Sequence, residues 1–317
     1  MPAFSASAPG KVILFGEHAV VYQRPAIAVP VTQVIAKAVV RADLRGKPGQ
    51  VHIEAPDIQL ERDLNDLPVN HPFHLLLSQI QQKFGIDRFP AFHLRVTSSI
   101  PIAAGMGSGA AISVASARAI TAFLGKVLSE EETSALAYEV EKVFHGTPSG
   151  IDNTVIAYAQ PVFFQRGQPI QFLKVNQPFT LVIGHSGVQS PTSDVVAAVC
   201  RAWQVDTQSY EGIFDKIGQL VHKARRAIEE GPMDTLGQLM LENHNLLREI
   251  RVSSVDLDRL VDAAMQSGAL GAKLSGAGRG GNMIALAAFE DSDRIATALH
   301  EAGAVRTIVT HILPHQR

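Results

Sequence analysis

Cysteine is nearly missing from this chain: Cys200 stands alone among 317 residues. One thiol excludes an internal disulfide framework and a thiolate zinc site, and it suits a reducing, cytoplasmic setting. An excess of positive charge is missing as well. Lys and Arg number 28 against 30 Asp and Glu, a formal net charge of -2, with neither a polybasic nor an acidic tail. Nothing therefore points to a nucleic-acid partner, and an anionic ligand requires local Lys and Arg. No apolar run is long enough to span a membrane, so no membrane partner is expected. Lys11 and Glu17 interrupt the first apolar stretch, and the opening residues do not read as a signal peptide. The 12 histidines are scattered; His71 and His74 lie close, but no second pair completes a zinc pattern. A Walker A sequence, internal repeats and low-complexity segments are all lacking.

Against these absences stands Pro101-Ile-Ala-Ala-Gly-Met-Gly-Ser-Gly-Ala-Ala111, which runs straight into a helical pattern. Gly105, Gly107 and Gly109 alternate, so the backbone is free to take positive φ and turn its N–H groups inward, and Ser108 adds a hydroxyl. Apolar residues from Ile112 to Leu124 fall near helical spacing, and Gly125 ends them. Amides turned inward at a helix N-terminus form an anion site, since unpaired N–H groups and the helix dipole both favour negative charge. The competing reading is a turn that only lets a helix pack closely.

In chain order, Phe4–Ala8 and Lys11–Phe15 read as two short strands broken by Pro9-Gly10. Lys11, Glu17 and His18 lie in an otherwise apolar segment, and buried charge is costly unless paired or used. One reading is a Lys11–Glu17 ion pair at a strand edge; the other puts Lys11 beside a transferring phosphate, with Glu17 and His18 orienting a small polar substrate. Val31–Ala42 and Val51–Glu54 read as strands, 57–70 as an exposed excursion, Pro72–Phe84 as a helix closed by Gly85, and Phe92–Val96 as a strand. Ser129 and Glu132 form a capping box ahead of a helix with the apolar stripe Leu136, Val140, Val143 and Phe144, flanked by Glu141. Residues 147–153 follow as a proline- and glycine-rich turn carrying Asp152 and Asn153, ordinary loop or cap residues unless a phosphate loop lies beside them. A hairpin about Arg166-Gly167 comes next, and an apolar strand at Thr180–Ile183 opens a second domain, giving domains 1–178 and 179–317. Helices and strands then alternate as in an α+β domain with an antiparallel sheet. Gly276, Gly278 and Gly281 match G-x-G-x-x-G, but that loop enters a strand, so the dinucleotide reading fails its context.

Three segments together resemble the GHMP kinase superfamily and, within it, the mevalonate kinases: Pro9 through Ala28 with its Gly16-Glu-His-Ala-Val-Val-Tyr22 core, the glycine loop, and Lys273-Leu-Ser-Gly-Ala-Gly-Arg-Gly-Gly281. His145 through Asn153, Ser186-Gly187 with Thr192, and the helix around Asn243-His244 support the match, which spans nearly the whole chain. The resemblance implies an α+β, two-domain GHMP kinase fold. Its N-terminal domain is ribosomal S5 domain 2-like and its C-terminal domain ferredoxin-like. It implies ATP-dependent phosphorylation of the primary hydroxyl of mevalonate in isoprenoid biosynthesis. Carried over residue by residue, Asp152 orients or deprotonates that hydroxyl, and Lys11 stabilises charge on the transferred phosphoryl group. Pro101, Ala104, Gly105, Met106, Gly107, Ser108, Gly109 and Ala110 hold the ATP phosphates. Glu141, with Ser108, serves Mg2+, and Glu17, His18 and Thr192 fall near the substrate. Many members are dimers, so a homodimer lies within the expectation.

Two departures stand out. The family usually has a second serine, its usual magnesium ligand, where this chain has Gly109, and a glycine where it has Arg279. Galactokinases tend to follow Gly-Glu-His with Thr-Asp and phosphomevalonate kinases to carry Gly-Glu-Tyr, whereas His18-Ala-Val-Val favours the mevalonate kinases. Homoserine kinases and diphosphomevalonate decarboxylases lack the lysine-bearing opening. A kinase for another mevalonate hydroxyl or for mevalonate phosphate, and a non-catalytic sensor on the same fold, are the alternatives; Lys11, Glu141 and Asp152 argue against the sensor.

Overall fold

The computed structural model describes residues 3–101, 104–145 and 148–314. The chain forms two compact units, and neither is one continuous stretch. Residues up to Gly10, Val34–Pro101 and Gly107–Ala159 make the first; Lys11–Gln33, the short piece ending at Met106, and the chain from Gln160 onward make the second.

Strand β1 (Ala3–Phe15) pairs with β2 (Ala26–Ala42), and both run through both units. The break expected at Pro9-Gly10 does not occur. Among the described residues β1 pairs with β2 alone, so the N–H that Pro9 lacks is not needed for a second ladder, and Gly10 stays out of the left-handed region. A 3-10 turn at Ala19–Tyr22 separates the two strands.

In the first unit the second half of β2 lies antiparallel to β5 (Phe92–Ser98), with Ala38 opposite Val96. Strand β3 (Val51–Ala55) runs parallel to β5 and antiparallel to β4 (Leu60–Asp63). The stretch expected as a mere excursion thus adds an edge strand, with short 3-10 turns on either side. Helix α1 (Pro72–Phe84) forms as expected: it buries Phe73, Leu76, Leu77 and Ile80, and Gly85 closes it at φ 63°. Each such side chain contributes roughly 1.5–3 kcal/mol of burial. Helix α2 (Ser108–Phe123) follows the glycine loop. Helix α3 (Glu130–His145) starts on its capping box, with Ser129 N–H donating to Glu132 Oε2 at 2.9 Å and Glu132 N–H to Ser129 Oγ at 3.1 Å. Leu136 and Val140 are buried on it, but Val143 is exposed, so the apolar stripe is shorter than its spacing suggested; the Phe144 side chain lies outside the described residues. Helix α4 (Ile151–Tyr158) occupies ground read as the end of a turn. Gly150 caps it at φ 92°, and Ile151, Val155 and Ile156 are buried at helical spacing, enough to carry two turns.

In the second unit the first residues of β2 pair with β6 (Val162–Phe164), which forms the expected hairpin with β7 (Gln171–Phe172). Strand β8 (Phe179–His185) leads to α5 (Thr192–Val205), α6 (Thr207–Glu230), α7 (Met233–Glu249) and α8 (Val255–Gln266). Then come β9 (Gly271–Ser275), β10 (Asn282–Ala287), α9 (Ser292–Glu301) and β11 (Arg306–Ile312). The four strands form an antiparallel sheet in the order β11-β8-β10-β9, the β–α–β–β–α–β plan with four helices in the first crossover. Every residue of β9 and β10 is buried, and α8 and α9 lie against the sheet.

Candidate active site

The glycine loop delivers what its composition requires. Gly105 and Gly107 take φ of 73° and 71°, left-handed conformations that cost other residues energy. Gly107 is also the N-cap of α2, so no side chain caps that helix and no acidic residue sits in its first turn. Ala111 N–H is the first to find a helical acceptor, the Gly107 carbonyl at 2.9 Å. Among the described residues the amides of Ser108, Gly109 and Ala110 therefore head a 16-residue helix as orphan donors, a fit for phosphate oxygens. Upstream, Ala104 and Met106 are buried and their carbonyls are tied down within the second unit. Asn282 Nδ2 donates to Ala104 O at 2.6 Å, and Lys11 N–H donates to Met106 O at 3.0 Å. Pro101 is half-buried; the two residues after it lie outside the described ones.

Also in the first unit, Glu141 is 4% exposed on α3, and Asp152 sits in the first turn of α4. Side chains tie the helix that carries Asp152 to its neighbours. Asn153 Nδ2 reaches Ser134 Oγ on α3 at 2.8 Å and also donates to the Ser134 carbonyl at 3.2 Å, and Arg118 on α2 donates to the Ala157 carbonyl at 2.5 Å. Asn153 is thus an anchor for its neighbour rather than a cap. Among the described residues no group of three or more His, Cys, Asp or Glu is arranged to hold a metal. One buried glutamate and one serine hydroxyl fit Mg2+, which takes few carboxylates and keeps phosphate oxygens and waters. Gly109, first-turn neighbour of Ser108 on α2, offers no side-chain ligand.

The second unit gathers the remaining candidates. Lys11, Glu17 and His18 are 3%, 1% and 5% exposed. Gly16 makes the turn before Glu17 and His18 at φ 98°, where a Cβ would lie 2.6 Å from the Pro25 carbonyl. His18 itself is left-handed at φ 59°, and its Nε2–H donates to the Ala277 carbonyl at 2.9 Å. Burial, with a smaller push from Arg279, lowers the His18 imidazole to about 4 and keeps it neutral at pH 7.

Glu17 does not take Lys11 as its ion-pair partner, the pairing one sequence reading allowed. Its Oε1 is held by Lys273 Nζ from β9, 256 positions away, and both side chains are completely buried. Burial raises the Glu17 carboxyl and lowers the Lys273 ammonium; each partner's charge works against that, and Lys11 adds to the attraction felt by Glu17. Lys273 also donates to the Leu274 carbonyl at 2.6 Å. Next to it, Ser275 Oγ accepts from Ile13 N–H at 3.1 Å and donates to Ile13 O at 2.8 Å, clamping β1 to β9. The sequence motif containing Lys273 does not by itself assign this lysine a role. The available signal was a lysine inside the apolar run Gly271-Ala-Lys-Leu, which demands a buried anion.

The loop after β9 turns on Gly276 and Gly278 at φ 94° and 84°; a Cβ at Gly278 would sit 2.0 Å from the Val252 carbonyl. Arg279 is itself left-handed at φ 58°, a conformation that favours glycine. Its Nε donates to the Arg251 carbonyl at 3.3 Å from an exposed position. Thr192 opens α5 and is exposed.

Family models match in two places: the N-terminal domain of GHMP kinases over residues 71–160 and the C-terminal domain of GHMP kinases over residues 224–305. A curated mevalonate kinase of Pyrococcus horikoshii is 37% identical, over 96% of this chain and 94% of that protein. Among solved structures, L. major mevalonate kinase in complex with R-mevalonate superposes with a TM-score of 0.83 at 29% identity, over 99% of this chain and 97% of that one. The Methanococcus jannaschii mevalonate kinase gives a TM-score of 0.85 at 25% identity, over 98% and 99%.

Proposed function

The chain belongs to the GHMP kinase superfamily and, within it, to the mevalonate kinases, and from that membership we propose that it transfers the γ-phosphoryl group of ATP to the primary hydroxyl of mevalonate, yielding mevalonate 5-phosphate. The observation that carries the reading is the uncapped N-terminus of α2 on its two left-handed glycines, a backbone cradle for a polyphosphate.

Phosphoryl transfer asks the protein mainly for positioning and charge neutralisation. In this reading Pro101, Ala104–Ala110 and the first amides of α2 bind the ATP phosphates. Lys11 neutralises charge as it builds on the phosphoryl oxygens. Asp152, on a helix anchored at Asn153 and Ala157, accepts the proton of the attacking hydroxyl or fixes its direction. Glu141 and Ser108 would hold Mg2+, which would screen the phosphate charge. Glu17, His18 and Thr192 recognise the rest of the substrate, and neutral His18 does so as a hydrogen-bonding group rather than a cation. Among the described residues no helix is long and apolar enough to cross a membrane; a cytoplasmic location is part of the proposal, and the single cysteine supports it.

The test is a product assay. The protein is incubated with ATP, Mg2+ and, in turn, mevalonate, mevalonate 5-phosphate, galactose and homoserine, and products are identified by phosphorus NMR. Mevalonate 5-phosphate is the expected product. Phosphate on another position or another compound overturns the substrate, and bound ATP with no product overturns the enzyme.

A further inference from the structure

The buried pair of Glu17 and Lys273 leaves one atom unaccounted for. Glu17 Oε1 is taken by Lys273, while Oε2 is buried and, among the described residues, without a hydrogen-bond partner. A carboxylate oxygen withdrawn from water and given nothing in return is expensive, and native proteins keep few such atoms. The surroundings do not suggest slack that would let the carboxylate turn. Lys273 is fully buried and tied a second time to the Leu274 carbonyl. The strand beneath it is braced from three sides. Ser275 clamps it to Ile13, and β10 pairs with it, Ile284 facing Lys273. On the α7 side, Leu274 N–H donates to His244 Nδ1 at 3.3 Å. The opposite ring nitrogen, Nε2, faces Asp258 Oδ1 at 3.2 Å, and Asp258 in turn contacts Arg248. Gly237 and Gly271 add a close backbone approach: a Cβ on Gly237 would lie 2.1 Å from the Leu270 carbonyl oxygen, and one on Gly271 2.2 Å from that of Gly237.

A rigid ammonium holding one oxygen of a carboxylate and leaving the other unmet is the arrangement of an acceptor kept for a ligand donor. The proposed substrate offers a carboxylate, which Glu17 repels, and two hydroxyls. Of these the primary one reacts, so the tertiary one remains. We propose that Lys273 is a positioning residue that fixes Glu17 so that Oε2 accepts a hydrogen bond from the non-reacting hydroxyl of the substrate, making that hydroxyl a determinant of specificity. This inference rests on the mevalonate reading above.

The test compares mevalonate with its 3-deoxy analogue, 5-hydroxy-3-methylpentanoate, in three proteins. Wild type is expected to prefer mevalonate in kcat/KM by roughly 10- to 100-fold, the size of one hydrogen bond to a charged group. Lys273→Met is expected to raise KM for mevalonate, to leave ATP affinity unchanged, and to bring the preference to within about threefold of unity. Because that variant strands a buried carboxylate and loses stability, Glu17→Leu/Lys273→Met is made alongside it, with both charges removed together. The double variant is expected to regain thermal stability without regaining the preference. A Lys273→Met protein, or a double variant, that still discriminates as wild type does overturns the inference. Equal use of both compounds by wild type overturns it too while leaving the kinase reading intact. Failure of wild type to phosphorylate mevalonate at all overturns that reading first, and the inference with it.

Discussion

The glycine loop and the Glu17–Lys273 pair are opposite solutions to holding something polar. The loop uses backbone: orphan amides at the head of α2, half-exposed, uncharged and set by two φ angles. The pair uses side chains: two opposite charges with no solvent exposure, brought together across 256 positions. Backbone donors hold their direction whatever the neighbouring side chains are, and they have no pKa to shift. A buried ion pair depends on both members and on everything that keeps water out. The first design suits a large, invariant anion; the second suits discrimination among small polar groups.

The largest effect expected separates both regions from the chemistry. Asp152→Asn should lower kcat by about 10²- to 10⁴-fold while ATP affinity, set by the loop, stays within about twofold. Steady-state kinetics beside nucleotide titration checks this, and an unchanged kcat removes Asp152 from its role. The next sets the titratable region against the untitratable one. His18 and His244 both have their pKa lowered to about 4 by burial, against an ordinary value near 6.5. Between those values the unfolded chain binds protons that the folded protein refuses, so stability falls as pH drops from 6.5 towards 4 and levels off below. Each histidine contributes on the order of 3 kcal/mol to that loss. Urea unfolding at stepped pH should show the decline, with a shallower slope in His244→Gln. The third compares one glycine from each region. A Cβ at Gly271 would meet Gly237 O at 2.2 Å, whereas one at Gly105 finds none of the described residues within 4 Å. Gly271→Ala should therefore cost about 3 kcal/mol or more in steric strain. Gly105→Ala should cost only the ~1–2 kcal/mol of a left-handed residue, and it should raise KM for ATP besides. Equal destabilisation by the two would erase the distinction.

The same contrast explains what was legible in the sequence. Local signals were read well. Pro72 to Gly85, the Ser129–Glu132 capping box and the alternation of Gly105 and Gly107 each concern residues within a few positions, and each appears in the structure. Pro9-Gly10 misled because a turn-forming pair carries its usual meaning only where the strand's second edge needs its N–H groups. Helix α4 was missed because at eight residues it offers two turns of periodicity, and Gly150 and Asp152 match a turn as well as a helix start. The motifs placed Glu17 and Lys273 in separate segments. Their pairing was hidden because it is a property of tertiary packing between strands of two different sheets, where Ser275 on β9 clamps Ile13 on β1, and no local pattern encodes it.

The segmented make-up of the second unit bears on how the protein is born. Residues 11–33 belong with partners that begin at Gln160, and Lys273 lies further on still. A ribosome adding roughly 5–20 residues per second needs about 12–50 s to travel from residue 33 to residue 273. Through that interval Glu17 stays hydrated and uncommitted, whereas the first unit has its whole sequence once residue 159 is added. The early segment behaves as a bookmark, placed near the start of translation and closed upon only when the last sheet emerges.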